Sequence, residues 1–319
     1  MFKRSDQKGV VTIIVVVLII VLVLAVAIAA VLFLPVKSVN FDDTISVPMV
    51  AGVDKLSLRL SADLGEVNVI YTNLTGQALI LHAVAKGSVG LLMDPNSISL
   101  SIVKSNSTNT ALVNASLNVK NHLVGAANLN VRIDVLIDNS MRSKLDMSTA
   151  AGSVTVNGTN ASAFDQVGLS AKAGAVKMIV APGVSLYGNI SLSTSVGASE
   201  LQWQNPLVKQ DINVAVTTKT GGVVVNLNQT VPMNRTVSLS GSTEVGGVAL
   251  NLGIGGNVAA TINSSAQLGG VQVGNKVGFS GSDSALRSTN YPAAGNFGIV
   301  LRTNVGGVEV NALSSASGA

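Results

Sequence analysis

Apolar and polar residues alternate along most of this chain, and glycine punctuates the alternation at a nearly constant interval. The phrase "KTGGVVVN" (219–226) returns as "VGGVALN" (245–251), "LGGVQVG" (268–274) and "VGGVEVN" (305–311). Aligned on the first glycine, eight copies begin at Gly65, Gly152, Gly174, Gly197, Gly221, Gly246, Gly269 and Gly306. From Gly152 to Gly269 the spacings are 22, 23, 24, 25 and 23. Two residues after the glycine stands valine, except at Ser199; four after stands Val, Met or Leu. Five residues before it an apolar residue recurs (Leu60, Met147, Leu169, Leu192, Val216, Leu301), and in two copies, with Leu239 and Ile262, the connector reads two residues longer.

Period-two alternation is that of a half-buried strand, because successive side chains leave a strand on opposite faces. Each unit therefore reads as strand, glycine turn, strand, with glycine supplying a backbone that needs positive φ or close approach. A unit of this size cannot bury a core alone, whereas stacked copies can, and a period of 20–50 residues marks a solenoid or array. The expected fold is mainly β, a β-solenoid or β-helix-like stack of short glycine-punctuated strands. Pro182 and Pro232 fall in the turns, where no ladder donor is lost. Asparagine follows the phrase at Asn157, Asn226, Asn251 and Asn311. Two readings stand side by side for these: a stacked amide ladder and turn residues that tolerate the left-handed region.

The first forty residues follow another pattern. Residues 10–34 are apolar apart from Thr12, and a helix of that length spans roughly 37 Å, more than a bilayer's hydrocarbon core of about 30 Å. The sequence thus predicts one N-terminal transmembrane helix, ended by Pro35. Lys3, Arg4 and Lys8 precede the span, while Lys37, Asp42 and Asp43 follow it, which places residues 1–9 in the cytoplasm as a tail and the remainder outside the cell. The predicted organisation is a tail (1–9), a membrane helix (10–34), a linker (35–48), the N-terminal part of a β domain (49–145) and a repeat solenoid with a C-terminal cap (146–319). An alternative starts at "KGVV" (8–11), which resembles the processing site of archaeal type IV pilin-like proteins. Cleavage after Gly9 would leave the apolar helix to pack in a filament core.

Composition narrows the class. The chain is 47% hydrophobic but only 11% charged and 3% aromatic, with 32 glycines, against about 25% charged residues in average domains. That suits a β-rich surface protein better than a helical enzyme. There is no cysteine, hence no disulfide framework and no thiolate metal site. Net charge is +4 and is spread without a basic stripe carrying aromatics, which argues against nucleic acid as a partner.

The strand–glycine–strand layout, clearest over 131–273, resembles the putative-adhesin, or toast-rack, family of bacterial and archaeal cell-surface proteins. The resemblance covers roughly residues 50–319. It implies a membrane-anchored, extracytoplasmic solenoid acting as an adhesin-like or envelope structural module, with cell-surface proteins or glycans as partners. Many members carry an acidic residue beside the glycine where this chain has valine or another residue, so a cation-binding surface does not carry over.

The search for chemistry returns no catalytic, cofactor-binding or metal-binding set, and the chain is expected not to be an enzyme and to need no cofactor. His82 and His122 stand isolated, as solvated strand residues. "GGVQVGNK" (269–276) approaches a phosphate-binding loop, but Lys276 is displaced by one and no Ser or Thr follows. Asp42, Asp43, Asp63 and Glu66 are read as solvated positions near the membrane. Residues 274–297, carrying Phe279, Tyr291 and Phe297, stretch the last spacing to 37. They read first as a cap over the open solenoid end and second as an aromatic contact loop. Asn-x-Ser/Thr occurs at Asn73, Asn106, Asn114, Asn157, Asn160, Asn189, Asn228, Asn234 and Asn263, candidate N-glycosylation sites for a chain outside the cell.

Overall fold

The computed structural model describes residues 19, 21–26, 35–90, 98–119 and 129–315. Among these are twenty strands: β1 (Pro35–Pro48), β2 (Lys55–Thr72), β3 (Gln77–Gly90), β4 (Ile98–Ser107), β5 (Thr110–Val119), β6 (Asn130–Asp138), β7 (Arg142–Gly158), β8 (Ala163–Val180), β9 (Ser185–Leu186), β10 (Ile190–Gln204), β11 (Leu207–Val208), β12 (Ile212–Gln229), β13 (Thr236–Val245), β14 (Val248–Ile254), β15 (Val258–Leu268), β16 (Val271–Val277), β17 (Phe279–Ser282), β18 (Ala285–Ser288), β19 (Gly295–Val305) and β20 (Val308–Ser314).

The chain forms two compact units. The first takes Met1–Phe41, Ala85–Ser99 and Val119–Asn130. Of the predicted membrane span, only residues 19 and 21–26 fall among the described ones, and they are helical and exposed. Among the described residues no helix is long and apolar enough to cross a membrane; the rest of the span, and Gly9, lie outside them. Residues 35–48, expected as a linker, form the fourteen-residue strand β1. Its apolar positions Val39 and Val47 are buried.

The second unit, Asp42–Val84, Leu100–Asn118 and Val131–Ala319, is a stack of parallel, in-register coils. Each coil has two legs meeting at the phrase glycine. On the first leg, Leu60 pairs with Met147, then Leu169, Leu192, Val216, Gly241, Leu301 and Ser264. On the second, Val67 pairs with Val154, Val176, Ser199, Val223, Val248, Val308 and Val271. At the N-terminal side β5 and β6 supply the two legs of a further coil against β2. The core lies between the legs, where the Leu, Val, Ile and Met columns are nearly all buried, with Trp203, Phe164 and Phe297 the largest enclosed side chains.

Three expectations need correction. In five of the eight coils the glycine is not a turn between short strands. In β2, β7, β8, β10 and β12 it lies inside one continuous strand of 15 to 18 residues. Leu239 and Ile262 do not mark longer connectors. They pair with Val214 and Ile299, one buried position further upstream, and Gly241 and Ser264 fill the expected column. A methyl at Gly241 would stand 3.1 Å from Leu301 Cδ2, so the neighbouring coil's leucine takes the space. The order of the coils is a separate finding, since it does not follow the chain. The strands β19 and β20, last in the chain, insert between β13/β14 and β15/β16.

The third correction concerns the 274–297 segment in its second reading, as an aromatic contact loop. It forms the hairpin β17–β18, and β18 pairs antiparallel with β15 at Thr261–Asn263, covering one edge of the terminal coil. Phe297 is no contact residue. It is fully buried, edge-on to Trp203 at 5.9 Å. Phe279 is buried too, while Tyr291 receives Arg287 over its ring. The other terminal strand, β16, pairs with β20 on one side. It carries a bulge between Val273 and Asn275 and presents Lys276, two devices that discourage another strand from adding to an edge.

Candidate functional site

The corner sets where every outward group points. In seven of the eight coils the last buried residue of the first leg lies three before the glycine and the first buried residue of the second leg two after it, as with Ala62 and Val67 or Thr218 and Val223; in the terminal Gly269 coil the same positions, Ala266 and Val271, are half-buried. Five is an odd step, so the alternation changes phase at the corner. A strand of L residues in the β region keeps its phase, and the glycine, at φ between 119° and 140° in all eight copies, supplies the reversal. The coils also meet closely here. A Cβ on Gly197 would lie 1.7 Å from Gly174 O, and one on Gly306 1.8 Å from Gly246 O.

A second corner residue escaped the sequence reading. Threonine stands three before the glycine in five coils (Thr149, Thr194, Thr218, Thr243, Thr303), and alanine in the other three. Thr243 Oγ1 donates to Gly221 O at 3.2 Å and Thr303 Oγ1 to Gly246 O at 3.0 Å. These hydroxyls satisfy corner carbonyls that the bend turns inward, where an unpaired acceptor is costly. The signal was legible as Thr-x-x-Gly once the copies were aligned.

Outside the first legs runs a groove of about 710 Å3. Its floor is a column of hydroxyls one position further out, Ser61, Ser148, Ser170, Ser193, Thr217 and Ser242, paired coil to coil. Ser170 Oγ reaches Met147 O at 3.5 Å and Thr217 Oγ1 reaches Leu192 O at 3.4 Å, each on the preceding coil. The rim mixes Lys172, Lys219 and Arg302 with Asp63 and Glu244. Both signs occur along it, with acidic residues on either side of the Lys172–Lys219 stretch, so it presents no continuous field to a polyanion.

Outside the second legs is a shallower groove of about 610 Å3, lined by amides and apolar residues with no charged side chain. Here the asparagines form a ladder. Asn251 Nδ2 donates to Asn226 Oδ1 at 2.8 Å, and Asn311 Nδ2 to Asn251 Oδ1 at 3.2 Å. Asn157 is outside it, because Ile179 and Gln202 occupy the two intervening coils. The bulge at Gly274 makes room for the ladder's end: a Cβ there would lie 2.4 Å from Asn311 Oδ1.

The other sequence candidates are dispersed. The nine sequon asparagines sit on turns and outward strand positions, exposed except for the half-buried Asn157. Asn189 Oδ1 accepts the Asn213 N–H at 2.9 Å, and Asn234 Oδ1 accepts from Asn257 Nδ2 at 3.1 Å. His82 is not isolated: its Nε2 lies 2.9 Å from Asp42 Oδ1 at the surface. His122 falls outside the described residues. Asp63 lines the hydroxyl groove, and Glu66 faces Arg132 across the β2–β6 pair, so the acidic residues do not converge. No group of His, Asp and Glu among the described residues is arranged to hold a metal ion. "GGVQVGNK" is the corner and edge strand β16, not a phosphate-binding loop.

No protein-family model matches this chain, and no curated protein resembles it in sequence. Two crystal structures are similar in shape. A putative cell adhesion protein from Clostridium sporogenes aligns over 86% of this chain and 99% of its own, at 11% identity and a TM-score of 0.43. A putative adhesin from Bacteroides fragilis aligns over 86% and 98%, at 11% identity and a TM-score of 0.33. Both scores are too low to establish a shared fold, and the architecture rests on this chain's own register.

Proposed function

We propose that this protein is a non-catalytic, adhesin-like contact module of the cell envelope, held at the membrane by residues 10–34 with its stack outside the cell. The observation that carries this reading is the outward column of hydroxyls repeated once per coil from Ser61 to Ser242. Stacked parallel strands stand about 4.8 Å apart, so the stack offers the same weak contact again and again along a rigid line. Such a surface works by multiplicity, since each added contact raises avidity without any single tight site. The apolar run and its flanking charges support the anchor.

The test compares densities. Beads coated with the full chain are expected to hold whole cells or envelope fragments under wash conditions that release the monomer. Equal retention of monomer and beads, or none of either, would sink the reading. Protease shaving of intact cells and intact mass of the natural protein test the location. A mature chain lacking residues 1–9 would favour the filament-subunit reading of "KGVV" instead.

A further inference from the structure

We propose that the amide groove on the second legs binds a neutral, linear polysaccharide laid along the stack. The proposal rests on the contact-module reading above and gives it a ligand class and a place. Asn226, Asn251 and Asn311 form the floor, and Gln202, Gln204 and Asn228 flank them.

A primary amide has two N–H donors and two acceptor lone pairs. The ladder uses one N–H of Asn251 and one lone pair each of Asn226 and Asn251. Asn226 and Asn251 therefore each keep a donor and an acceptor directed away from the ladder. Asn311 also donates to Glu309 Oε1 at 3.2 Å, so it presents its oxygen. The mutual bonds hold the amides in one orientation, and a ligand need not immobilise them. Gly253 extends the floor: a Cβ there would lie 3.3 Å from Asn228 Oδ1, so its absence lets Asn228 lean across the next coil. At the groove's end Leu313 is 49% exposed, an apolar surface for the C–H face of a ring.

The period selects the ligand. One amide per coil recurs at about 4.8 Å, whereas an extended peptide advances about 3.3 Å per residue, so it meets the second amide between residues and the third with a residue that faces the opposite side. A pyranose chain advances by about one ring width per unit, close to the strand spacing. Each ring carries hydroxyls that both donate and accept, as the floor does. The absence of a charged side chain from the lining leaves nothing to hold an acidic polymer against the cost of stripping its charges of water.

The experiment is affinity electrophoresis of the full chain in detergent, through gels containing hydroxyethyl cellulose, mixed-linkage β-glucan or galactomannan. Polygalacturonate and alginate gels run in parallel. At least one neutral polymer is expected to retard the protein and the acidic ones are not. Asn251→Leu, which breaks the ladder, should weaken retardation about tenfold, as loss of roughly 1.4 kcal/mol of hydrogen bonding does. The double variant Gln204→Ala/Asn228→Ala leaves the ladder intact, so it should bind less at unchanged melting temperature. Retardation by no neutral polymer, equal retardation by acidic ones, displacement by extended peptides, or indifference to both variants overturns the proposal. So does a sugar found covalently on Asn228, which would fill the groove with the chain's own modification. Bead adhesion by a natural chain that no neutral polymer retards removes the groove and leaves the contact-module reading standing; absence of both adhesion and retardation in the natural chain removes both.

Discussion

The five coils built on Gly65, Gly152, Gly174, Gly197 and Gly221 and the three built on Gly246, Gly306 and Gly269 share one corner but are threaded differently. In the first group each coil is one unbroken strand, and from β7 to β12 the coils follow chain order. In the second, each coil is split at the glycine into two strands, and the last coil of the chain lies inside the stack. The corner chemistry is the same in both, since φ and the distance between successive corners do not change. What differs is the connection. From β7 to β13 each coil stacks on the one before it, but the short connector 255–257 carries the chain past one level, so that β15 pairs with β19 and not with β13. The segment around β17–β18 is long enough to fold back as a hairpin, cover the outer edge of β15 and return the chain one level lower. Stacking fixes the corner, and the return segment 278–294 lets the last coil fill the level that the chain had passed over.

The largest effect tests that order. Val245 and Val305 are exposed register partners, and Val305 in turn pairs with Leu268. The chain has no cysteine, so an engineered pair has no competitor. Val245→Cys with Val305→Cys should oxidise to completion, because adjacent strands are within disulfide reach. Val245→Cys with Leu268→Cys should not, being two strands apart at about 9.6 Å. Electrophoretic mobility with and without reductant reads both, and the reverse result would restore chain-order stacking.

The next comparison uses neighbouring glycines of one phrase. A Cβ on Gly221, at φ 133°, would stand 1.8 Å from Gly197 O. At Gly222 a Cβ would meet nothing within 4 Å, and its φ lies outside the left-handed region. Gly221→Ala should therefore cost about 4 kcal/mol or more, combining backbone strain with a clash against a carbonyl that cannot move. Gly222→Ala should be neutral or stabilise by up to about 1 kcal/mol through the unfolded chain. Urea midpoints of the two variants check this, and equal losses would show that both glycines serve the corner.

A smaller effect separates the two ends. At the C-terminal end a hairpin covers the β15 edge, whereas the β6 coil near the other end is pinned by one carboxylate. Asp138, 5% exposed, accepts the Leu74 N–H at 2.6 Å and the Ser140 N–H at 2.9 Å, as well as the Ser140 hydroxyl. Burial alone would raise its pKa, but the hydrogen bonds from the Ser140 side chain and the Leu74 and Ser140 N–H groups outweigh it and hold it below the usual carboxylate value. With the folded value depressed, its contribution is present above the unfolded pKa of about 3.9 and fades as pH falls through the folded one. Asp138→Ala should cost about 1–3 kcal/mol at pH 7, and the difference from the natural chain should shrink below about pH 4. Hydrogen exchange should localise the acid effect to residues 72–76 and 138–141 and leave 279–288 unchanged. A uniform response along the stack would refute the distinction.

How far the sequence carried depended on whether a feature repeats. The eight corner glycines and the buried valines after them were legible because every coil meets the same steric demand. The asparagine ladder was legible as one of two alternatives, since only the register decides whether Asn226, Asn251 and Asn311 become neighbours. The place of β19 and β20 was not legible: parallel coils with the same pattern can accept one another in any order. Nor was the role of Phe297, because a lone aromatic near glycines looks the same whether it faces solvent or Trp203. The hydroxyl groove was hidden for the opposite reason, as small polar residues on outward positions are what any strand carries.

The last and smallest effect concerns the one copy that breaks the valine column. Ser199 is fully buried where the other seven coils have valine, and its Oγ donates to Thr217 O at 2.8 Å while lying 2.8 Å from Thr194 Oγ1. Thr194 Oγ1 has a further partner in Ala198 O at 3.3 Å. Ser199→Val trades one buried hydrogen bond of about 1 kcal/mol for apolar burial of similar size, so stability should move by less than about 1 kcal/mol. Thr194→Ala alone should cost about 1 kcal/mol, because Ser199 then loses a partner within the core. Combined with Ser199→Val it should cost less than the sum, as both hydroxyls leave together. A thermal-melt double-mutant cycle reads that coupling. Strict additivity would mean that Ser199 and Thr194 are independent tolerances of the stack, and the exception in the column would then have no partner to explain it.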